Sequence, residues 1–197
     1  MSSNFISRLA PTPSGYLHFG NAFNFLLTYL LVNFYDGVLH LRIDDLDGPR
    51  VDHKFVEDIF IQLEWLGIDY HFGPSGPDDL YSNFSQQLRK DSYFNAIEIL
   101  KKAGHLFACE CSRSKIRNSS SSNIYPRTCR NKNLDFLKDN QTWRVIVPDN
   151  TFVWCSTLTN NKKEIDLTNR IGDFVVRRRD GEPAYQIASL MDDIEMR

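Results

Sequence analysis

The sequence has little net charge, little cysteine and no long uninterrupted apolar stretch. The 23 lysines and arginines against 25 acidic residues leave a formal net charge of −2, which argues against a nucleic-acid binder that works mainly through bulk positive charge. The longest apolar run, residues 22–35, contains Asn24, Thr28 and Asn33, and it is shorter than the roughly 20 residues of a membrane span. We therefore predict a buried core helix here, and no membrane partner.

The first residues carry no targeting signal. Residues 1–4 read M-S-S-N, without a basic region, and lead straight into an apolar run, so we expect a cytoplasmic protein. The 4 cysteines could form two disulfides in a secreted chain, but disulfides are rare in the cytosol. Three of them lie within residues 109–129, and this clustering favours a metal site.

The 197 residues are enough for one domain with its own core. Short apolar runs alternate with helical patterns, and this alternation predicts an α/β fold with a doubly wound parallel sheet. We predict strands over 5–10, 38–43, 68–70, 142–147, 152–155 and 172–179, and helices over 21–35, 52–66 and 82–103. Residues 160–164 are predicted to be a loop, and residues 185–191 a helix or a strand.

The most informative stretch, residues 8–21, reads R-L-A-P-T-P-S-G-Y-L-H-F-G-N. Two prolines and Gly15 stop the first strand and set a turn, and Gly15 and Gly20 let the backbone approach a ligand closely. His18 comes just before a helix start, where free N–H groups and the helix dipole favour an anion such as a triphosphate. The stretch therefore predicts a nucleotide-phosphate site, and a proline-rich turn before a buried helix is the alternative.

Five separated motifs in the same order resemble the catalytic core of the class I glutamyl-tRNA synthetase group. After residues 8–21 come L-H-L-R-I-D-D-L-D-G-P-R at 39–50, E-W-L-G-I-D at 64–69, D-F-V-V-R-R at 173–178, and P-A-Y-Q-I-A at 183–188 with D-D at 192–193. The resemblance implies a Rossmann-like domain that activates glutamate with ATP and Mg²⁺. It also implies catalytic roles for His18 and Asn21, at the outer positions of the family's H-I-G-H tetrapeptide.

The resemblance also implies the ligand contacts. Glutamate is expected at Arg8, Leu9, Ala10, Pro11, Thr12, Asp44 and Tyr185, and ATP at Pro11, His18, Gly20 and Asn21. Arg8 would pair with a carboxylate, and Asp44 would accept from an ammonium group, although the family has Glu at that position. The alternatives are a structural surface arginine at Arg8, a capping Asn beside a packed His, and a buried aromatic at Tyr185.

A second cluster reads C-E-C at 109–111 and Y-P-R-T-C-R at 125–130. Two thiolates one residue apart and a third beyond a hairpin supply three corners of a tetrahedral zinc site. The pattern is similar to the zinc module of glutamyl-queuosine tRNA(Asp) synthetases, which implies Zn²⁺ bound by Cys109, Cys111, Tyr125 and Cys129. Unliganded buried cysteines are the alternative, and Cys155 is expected in that class.

The resemblance implies transfer of glutamate to queuosine in the anticodon of tRNA(Asp), by a monomer. A fragment of an ordinary glutamyl- or glutaminyl-tRNA synthetase, and a silent module that binds an amino acid or RNA, are the alternatives. We predict two halves of the catalytic domain at 1–108 and 134–197, with a zinc insertion at 109–133. The sequence lacks the family's later V-V-R-G and K-M-S-K-S motifs, so we expect either a truncated chain or a chain whose partner fragment is missing, incomplete for activity.

Overall fold

The computed structural model of the protein describes residues 5–48, 51–119, 124–136, 140–156 and 161–196. The chain divides into two compact units, of which the first holds residues 1–91 with 188–197 and the second residues 92–187. The first four residues, on which the expectation about a targeting signal rests, lie outside the described residues. The predicted borders at 108 and 133 stay a prediction.

The first unit begins with a strand–helix–strand arrangement. The strands β1 (Ile6–Leu9) and β2 (Val38–Leu41) are parallel, with Arg8 opposite His40. The helix α1 (Phe19–Phe34) connects them, as parallel strands need a crossover rather than a tight turn. The predicted α/β arrangement with parallel strands is confirmed in this part of the chain.

The helix α1 is not the fully buried helix that its composition predicts. Its buried residues are Phe25 and Val32, whereas Phe19 and Phe34 are 85% and 79% exposed. Apolar composition does not tell which helix faces are covered, and the strands of this unit can cover only one of them. Among the described residues, no helix is long and apolar enough to cross a membrane.

The helix α2 (His53–Trp65) completes the core of the first unit. It begins after Asp52, whose side chain accepts a hydrogen bond from the N–H of Lys54 at 3.1 Å. The buried residues of this core are Leu9, Phe25, Val32, Leu39, Leu41, Ile43, Val56, Ile59, Leu63, Ile68 and Leu80. In place of the strand predicted over 68–70, Phe72 forms one isolated parallel bridge with His40.

The continuous helix predicted over 82–103 is interrupted. The chain forms α3 (Pro77–Asp79), a π-helical turn (Leu80–Phe84), a 3-10 turn (Gln86–Arg89) and α4 (Lys90–Lys102). Ser85, between the two turns, has an extended backbone with φ −60° and ψ 138°, and its hydroxyl donates to buried Asp45 at 2.5 Å. This distant hydrogen bond competes with the local helical pattern, because serine readily bonds outside a helix.

The second unit contains an antiparallel sheet. The strand β3 (Leu106–Cys109) pairs antiparallel with β4 (Thr142–Val145), which also pairs antiparallel with β7 (Val175–Arg177). The prediction of a doubly wound parallel sheet is therefore wrong for these strands. The described part of the connection between β3 and β4 contains the short helix α5 (Arg113–Ser119), whereas a parallel pair needs a crossover, usually a longer helix.

A separate two-stranded antiparallel sheet joins β5 (Phe152–Ser156) and β6 (Lys162–Asp166). The strand β6 replaces most of the loop predicted over 160–164, because pairing across the strands can hold even a polar segment extended; residue 160 lies outside the described residues. The helices α6 (Leu167–Arg170) and α7 (Tyr185–Glu195) follow. Residues 185–191, predicted to be a helix or a strand, therefore form a helix.

Candidate functional site

His18 and Asn21 form the N-terminal cap of α1. The backbone N–H of Gly20 donates to Nδ1 of His18 at 3.1 Å, and the backbone N–H of His18 donates to Oδ1 of Asn21 at 3.0 Å. Together the two bonds make a capping box. The capping role, named as the alternative for these residues, is therefore present, and their catalytic role stays a prediction.

The same cap determines what the His18 ring can do. Because Nδ1 accepts a hydrogen bond, the neutral ring carries its proton on Nε2. Nε2 can then donate to an anion near the start of α1, where the helix dipole is favourable. Gly20 leaves room for this ring, since a Cβ there would lie 3.0 Å from Cε1 of His18. Three predicted ATP contacts, His18, Gly20 and Asn21, are thus adjacent.

The remaining residues predicted after β1 lie in a short extended segment. Leu9 and Pro11 are buried, Ala10 is half-buried and Thr12 is exposed. The carbonyl of Pro11 accepts from the N–H of Asp44 at 2.9 Å. This bond fixes the segment beside the end of β2, so that the first turn and Asp44 are neighbours, as the prediction requires.

Arg8 projects a partly exposed guanidinium from β1. Its Nη2 lies 2.8 Å from Oδ2 of Asp193, and the two side chains are 40% and 31% exposed. The other oxygen of Asp193 accepts from Nη1 of Arg42 at 2.7 Å. Asp193 therefore bridges two arginines, one near the surface and one buried.

Asp44 is buried and already paired. Nε of Arg42 lies 2.6 Å from Oδ1 of Asp44, and Nη2 lies 3.2 Å from Oδ2. Both side chains are 1% exposed. The carboxylate that was expected to meet a substrate ammonium group is thus engaged by a bidentate ion pair, and its substrate role stays a prediction.

Arg42 is the centre of a polar network that the sequence analysis did not predict. Besides Asp44 and Asp193, it donates to the carbonyl and the hydroxyl of Ser189 at 3.1 and 2.9 Å. Burial alone would lower the pKa of Arg42, but the hydrogen bond to Asp44 and the charges of Asp44, Asp193 and Asp192 raise it. The one available signal was an arginine inside the apolar run L-H-L-R-I, because a buried charge needs partners.

Two more acidic side chains, those of Asp192 and Asp45, are held by hydrogen bonds near this network. Asp192 accepts from Nε2 of Gln86 at 2.8 Å and from Nε of Arg89 at 2.9 Å. Asp45 accepts from Ser85 and from the N–H of Gln86 at 2.7 Å. Burial raises the pKa of Asp45, although its hydrogen bonds and the charge of Arg89 oppose that shift.

Tyr185, the last predicted glutamate contact, belongs to the second unit. It is the first residue of α7 and is 54% exposed. The alternative of a buried aromatic is therefore wrong. Its contact with substrate stays a prediction.

The predicted metal ligands of the second unit converge. The Sγ atoms of Cys109, Cys111 and Cys129 lie within 4.8 Å of one another, and all three residues are buried. Oη of Tyr125 lies 3.2 Å from Sγ of Cys109 and 3.8 Å from Sγ of Cys111. Cys155 is exposed and outside this group, so it is free as expected but not buried.

These distances fit a zinc tetrahedron. With Zn–S bonds of about 2.3 Å, neighbouring sulfur atoms should be about 3.8 Å apart, and Sγ of Cys111 lies 3.6 Å from Sγ of Cys129. Burial raises the pKa of the Cys109 thiol, but its hydrogen bonds with Tyr125, the Cys111 backbone and Arg144, together with the charge of Arg144, lower this pKa to about 7. Burial also raises the pKa of Tyr125, and the neighbouring cysteines add to the shift. A bound cation would favour the deprotonated ligands.

The cluster is tied to the sheet of its own unit by arginines. The guanidinium carbon of Arg144, on β4, lies 4.0 Å from the centre of the Tyr125 ring. Arg130, directly after Cys129, lies 3.2 Å from a carboxylate oxygen of Asp173, and Asp173 also accepts from the N–H of Val147 at 2.9 Å. These contacts place the ligand segment next to β4.

Residues 5–197 match the family described as tRNA synthetases class I (E and Q), catalytic domain, and the chain belongs to this family. It is 34% identical over 193 residues to the glutamyl-Q tRNA(Asp) synthetase of Aromatoleum aromaticum, covering 96% of this chain and 58% of the relative. It is 35% identical over 192 residues to the protein of that name from Pseudomonas fluorescens, covering 98% and 60%. The chain therefore spans about three fifths of these relatives.

Other relatives carry a different name. The glutamate–tRNA ligase of Lawsonia intracellularis is 31% identical over 198 residues, with 97% of this chain and 40% of the relative covered. The crystal structure of a glutamate tRNA ligase from Elizabethkingia meningosepticum, in complex with its amino acid, matches with a TM-score of 0.76 and 25% identity. That match covers 98% of this chain and 42% of the ligase. The α/β fold is thus similar to the corresponding part of these ligases.

Proposed function

We propose that this chain belongs to an enzyme that activates glutamate with ATP and Mg²⁺ and transfers it to queuosine of tRNA(Asp). The observation that carries the proposal is the convergence of Cys109, Cys111, Tyr125 and Cys129, the ligand set of the zinc module resembled by the sequence. The relatives named glutamyl-Q tRNA(Asp) synthetase support the same substrate.

The proposed roles follow the geometry within each unit. In the first, the Arg8 guanidinium would hold a carboxylate of glutamate, and Nε2 of His18 with Asn21 would donate to ATP phosphates. In the second, residues 109–133 would form a zinc insertion, in which zinc would cross-link the segment and contribute to its folding. We also propose that β1 and β2 belong to a Rossmann-like doubly wound sheet.

The test follows labelled glutamate onto RNA. The enzyme that contains this chain is incubated with ATP, Mg²⁺ and either tRNA(Asp) with queuosine, tRNA(Asp) without it, or tRNA(Glu), because residues 1–197 alone are expected to be incomplete for activity. Label on the queuosine-containing tRNA(Asp) alone is expected. Label on the 3′ end of tRNA(Glu) would favour an ordinary glutamyl-tRNA synthetase, as the Lawsonia relative suggests. Glutamate binding without formation of glutamyl adenylate would favour the alternative of a catalytically silent module that binds an amino acid or RNA.

The glutamate contact has its own test. Arg8→Lys keeps the charge but loses the planar fork, so glutamate affinity should fall by about 1–3 kcal/mol, the size of one charge-assisted hydrogen bond. Calorimetric titration measures this change. Unchanged affinity would contradict the role of Arg8.

A further inference from the structure

We infer that Asp193 is a positioning residue for Arg8: anchored by the buried Arg42, it holds the Arg8 guanidinium ready for the carboxylate of the amino acid. The inference rests on the proposed function, since glutamate is the proposed ligand of Arg8. It adds a role for Asp193 that no sequence motif analysed above assigned.

The contacts form a chain from the core to the surface. Arg42 is fixed by both oxygens of Asp44 and by Ser189, and its side chain is 1% exposed. Its Nη1 holds one oxygen of Asp193 at 2.7 Å, and the other oxygen holds Nη2 of Arg8 at 2.8 Å. The orientation of the Arg8 guanidinium is thus set, through Asp193, by the buried Arg42.

The arrangement leaves Arg8 able to bind a ligand. Nη2 of Arg8 makes the contact to Asp193, and a guanidinium offers five N–H donors in all. The long arginine side chain loses rotamer freedom to Asp193 before any ligand arrives, so that this entropy is not lost again on binding. The carboxylate also separates two positive groups that would otherwise repel each other.

The same pairing explains why charge matters at position 193. Asparagine has nearly the shape of aspartate, but it would leave the buried Arg42 and the exposed Arg8 sharing one neutral carbonyl. The Arg8 side chain should then sample more rotamers, and its guanidinium should less often have the orientation that binds the carboxylate of glutamate. Glutamate affinity should fall even though no atom that touches glutamate has been removed.

The experiment combines side-chain NMR with titration. The ¹⁵N relaxation of Arg8 Nε and the Kd of glutamate are measured for the wild type, Asp193→Asn, Asp193→Glu, Arg8→Ala and the Arg8→Ala/Asp193→Asn double variant. Asp180→Asn is the control, because Asp180 accepts from Nη2 of Arg178 at 2.7 Å in another partly exposed pair, with side chains 56% and 30% exposed. Asp193→Ser provides a second neutral variant if Asp193→Asn does not fold.

Asp193→Asn should make Arg8 Nε more mobile and raise the Kd about tenfold, equivalent to roughly 1.4 kcal/mol. Asp193→Glu should restore most of both, and Asp180→Asn should change neither. In the Arg8→Ala background, Asp193→Asn should have no further effect on the Kd. The inference would be overturned if Asp193→Asn changed neither the relaxation of Arg8 Nε nor the Kd of glutamate. It would also be overturned if Asp193→Asn weakened glutamate binding equally in the Arg8→Ala background. If the wild type binds no glutamate, the proposed function fails, and Arg8 relaxation still decides whether Asp193 holds Arg8.

Discussion

The backbone N–H of Gly20 donates to Nδ1 of His18 at 3.1 Å. This one hydrogen bond caps α1 and, at the same time, sets the orientation and the tautomer of the ring. A residue predicted to contact phosphate is therefore held by the helix whose N-terminus would attract that phosphate. Helix geometry and ligand binding are coupled at this position.

Gly20→Ala should weaken ATP binding without weakening the fold. The new Cβ would lie 3.0 Å from Cε1 and 3.1 Å from Nδ1 of His18, which is too close for the ring to stay in place. Alanine favours a helix over glycine by about 1 kcal/mol, and loss of the His18 cap costs about as much, so thermal stability should stay close to that of the wild type. Calorimetric titration with ATP should show an affinity at least about tenfold lower, or 1.4 kcal/mol.

The matched control is Gly76→Ala, directly before α3 and outside the 8–21 stretch. A Cβ at Gly76 would meet nothing within 4 Å, so ATP affinity and melting temperature should both stay close to the wild type. Equal ATP affinity in the two variants would show that the His18 ring is not part of the ATP site.

The sequence was sufficient to predict features that depend on neighbouring residues. The β1–α1–β2 arrangement follows from residues 5–41 alone, because periodicity and turn residues act over short distances. The cysteine cluster was also predictable, since Cys109, Cys111 and Cys129 lie within 21 residues of chain and their chemistry restricts the alternatives.

The remaining features depend on partners far apart in the sequence. Arg42 meets Ser189 and Asp193 at separations of 147 and 151 residues, and no local pattern indicates such a pairing. Ser85 breaks a helical pattern to reach Asp45, 40 residues earlier. The antiparallel direction of β3 and β4 likewise depends on tertiary pairing, which overrides local propensity.

Protein purified without chelator should contain about one zinc ion per chain, because four ligands converge on one point. Elemental analysis measures this ratio. Cys111→Ser should lose the metal, and Tyr125→Phe should bind it at least about tenfold more weakly, since even the loss of a partner outside the ligand shell costs that much. Cys155→Ser, at an exposed cysteine outside the cluster, should keep full zinc. Absence of zinc from the wild type would reject the site.

Removing the metal should affect the two units unequally. Chelation should increase hydrogen exchange around residues 109–119 and 124–130, because zinc binding contributes folding energy where its ligands lie. Residues of the core around Leu39 and Ile59 should exchange as before. Equal acceleration throughout the chain would contradict a local role for the ion.

The stability contributed by Asp45 should depend on pH with a defined sign. Burial raises the pKa of Asp45, so the folded state takes up a proton at a higher pH than the unfolded chain. Its ionised form therefore costs stability above the folded pKa, and this cost is relieved as the pH falls through that pKa. Asp45→Asn cannot titrate there. Urea unfolding measures the free energy of unfolding of wild type and variant at pH 7 and at pH 4.5. Relative to the variant, the wild type should be more stable at pH 4.5 than it is at pH 7. Parallel pH curves would contradict the raised pKa.

Asp44→Asn should reduce the free energy of unfolding strongly, because it removes the charge opposite a buried arginine. Both side chains of the Arg42–Asp44 pair are 1% exposed, and breaking such a buried pair costs about 3–5 kcal/mol. We expect the lower end of that range, since Asp193 still holds Nη1 of Arg42. Urea unfolding should show a lower midpoint with an unchanged slope. The control, Asp69→Asn at an exposed position, should stay within about 0.5 kcal/mol of the wild type. A loss for Asp44→Asn as small as that of the control would mean that the buried Arg42 does not depend on the charge of Asp44.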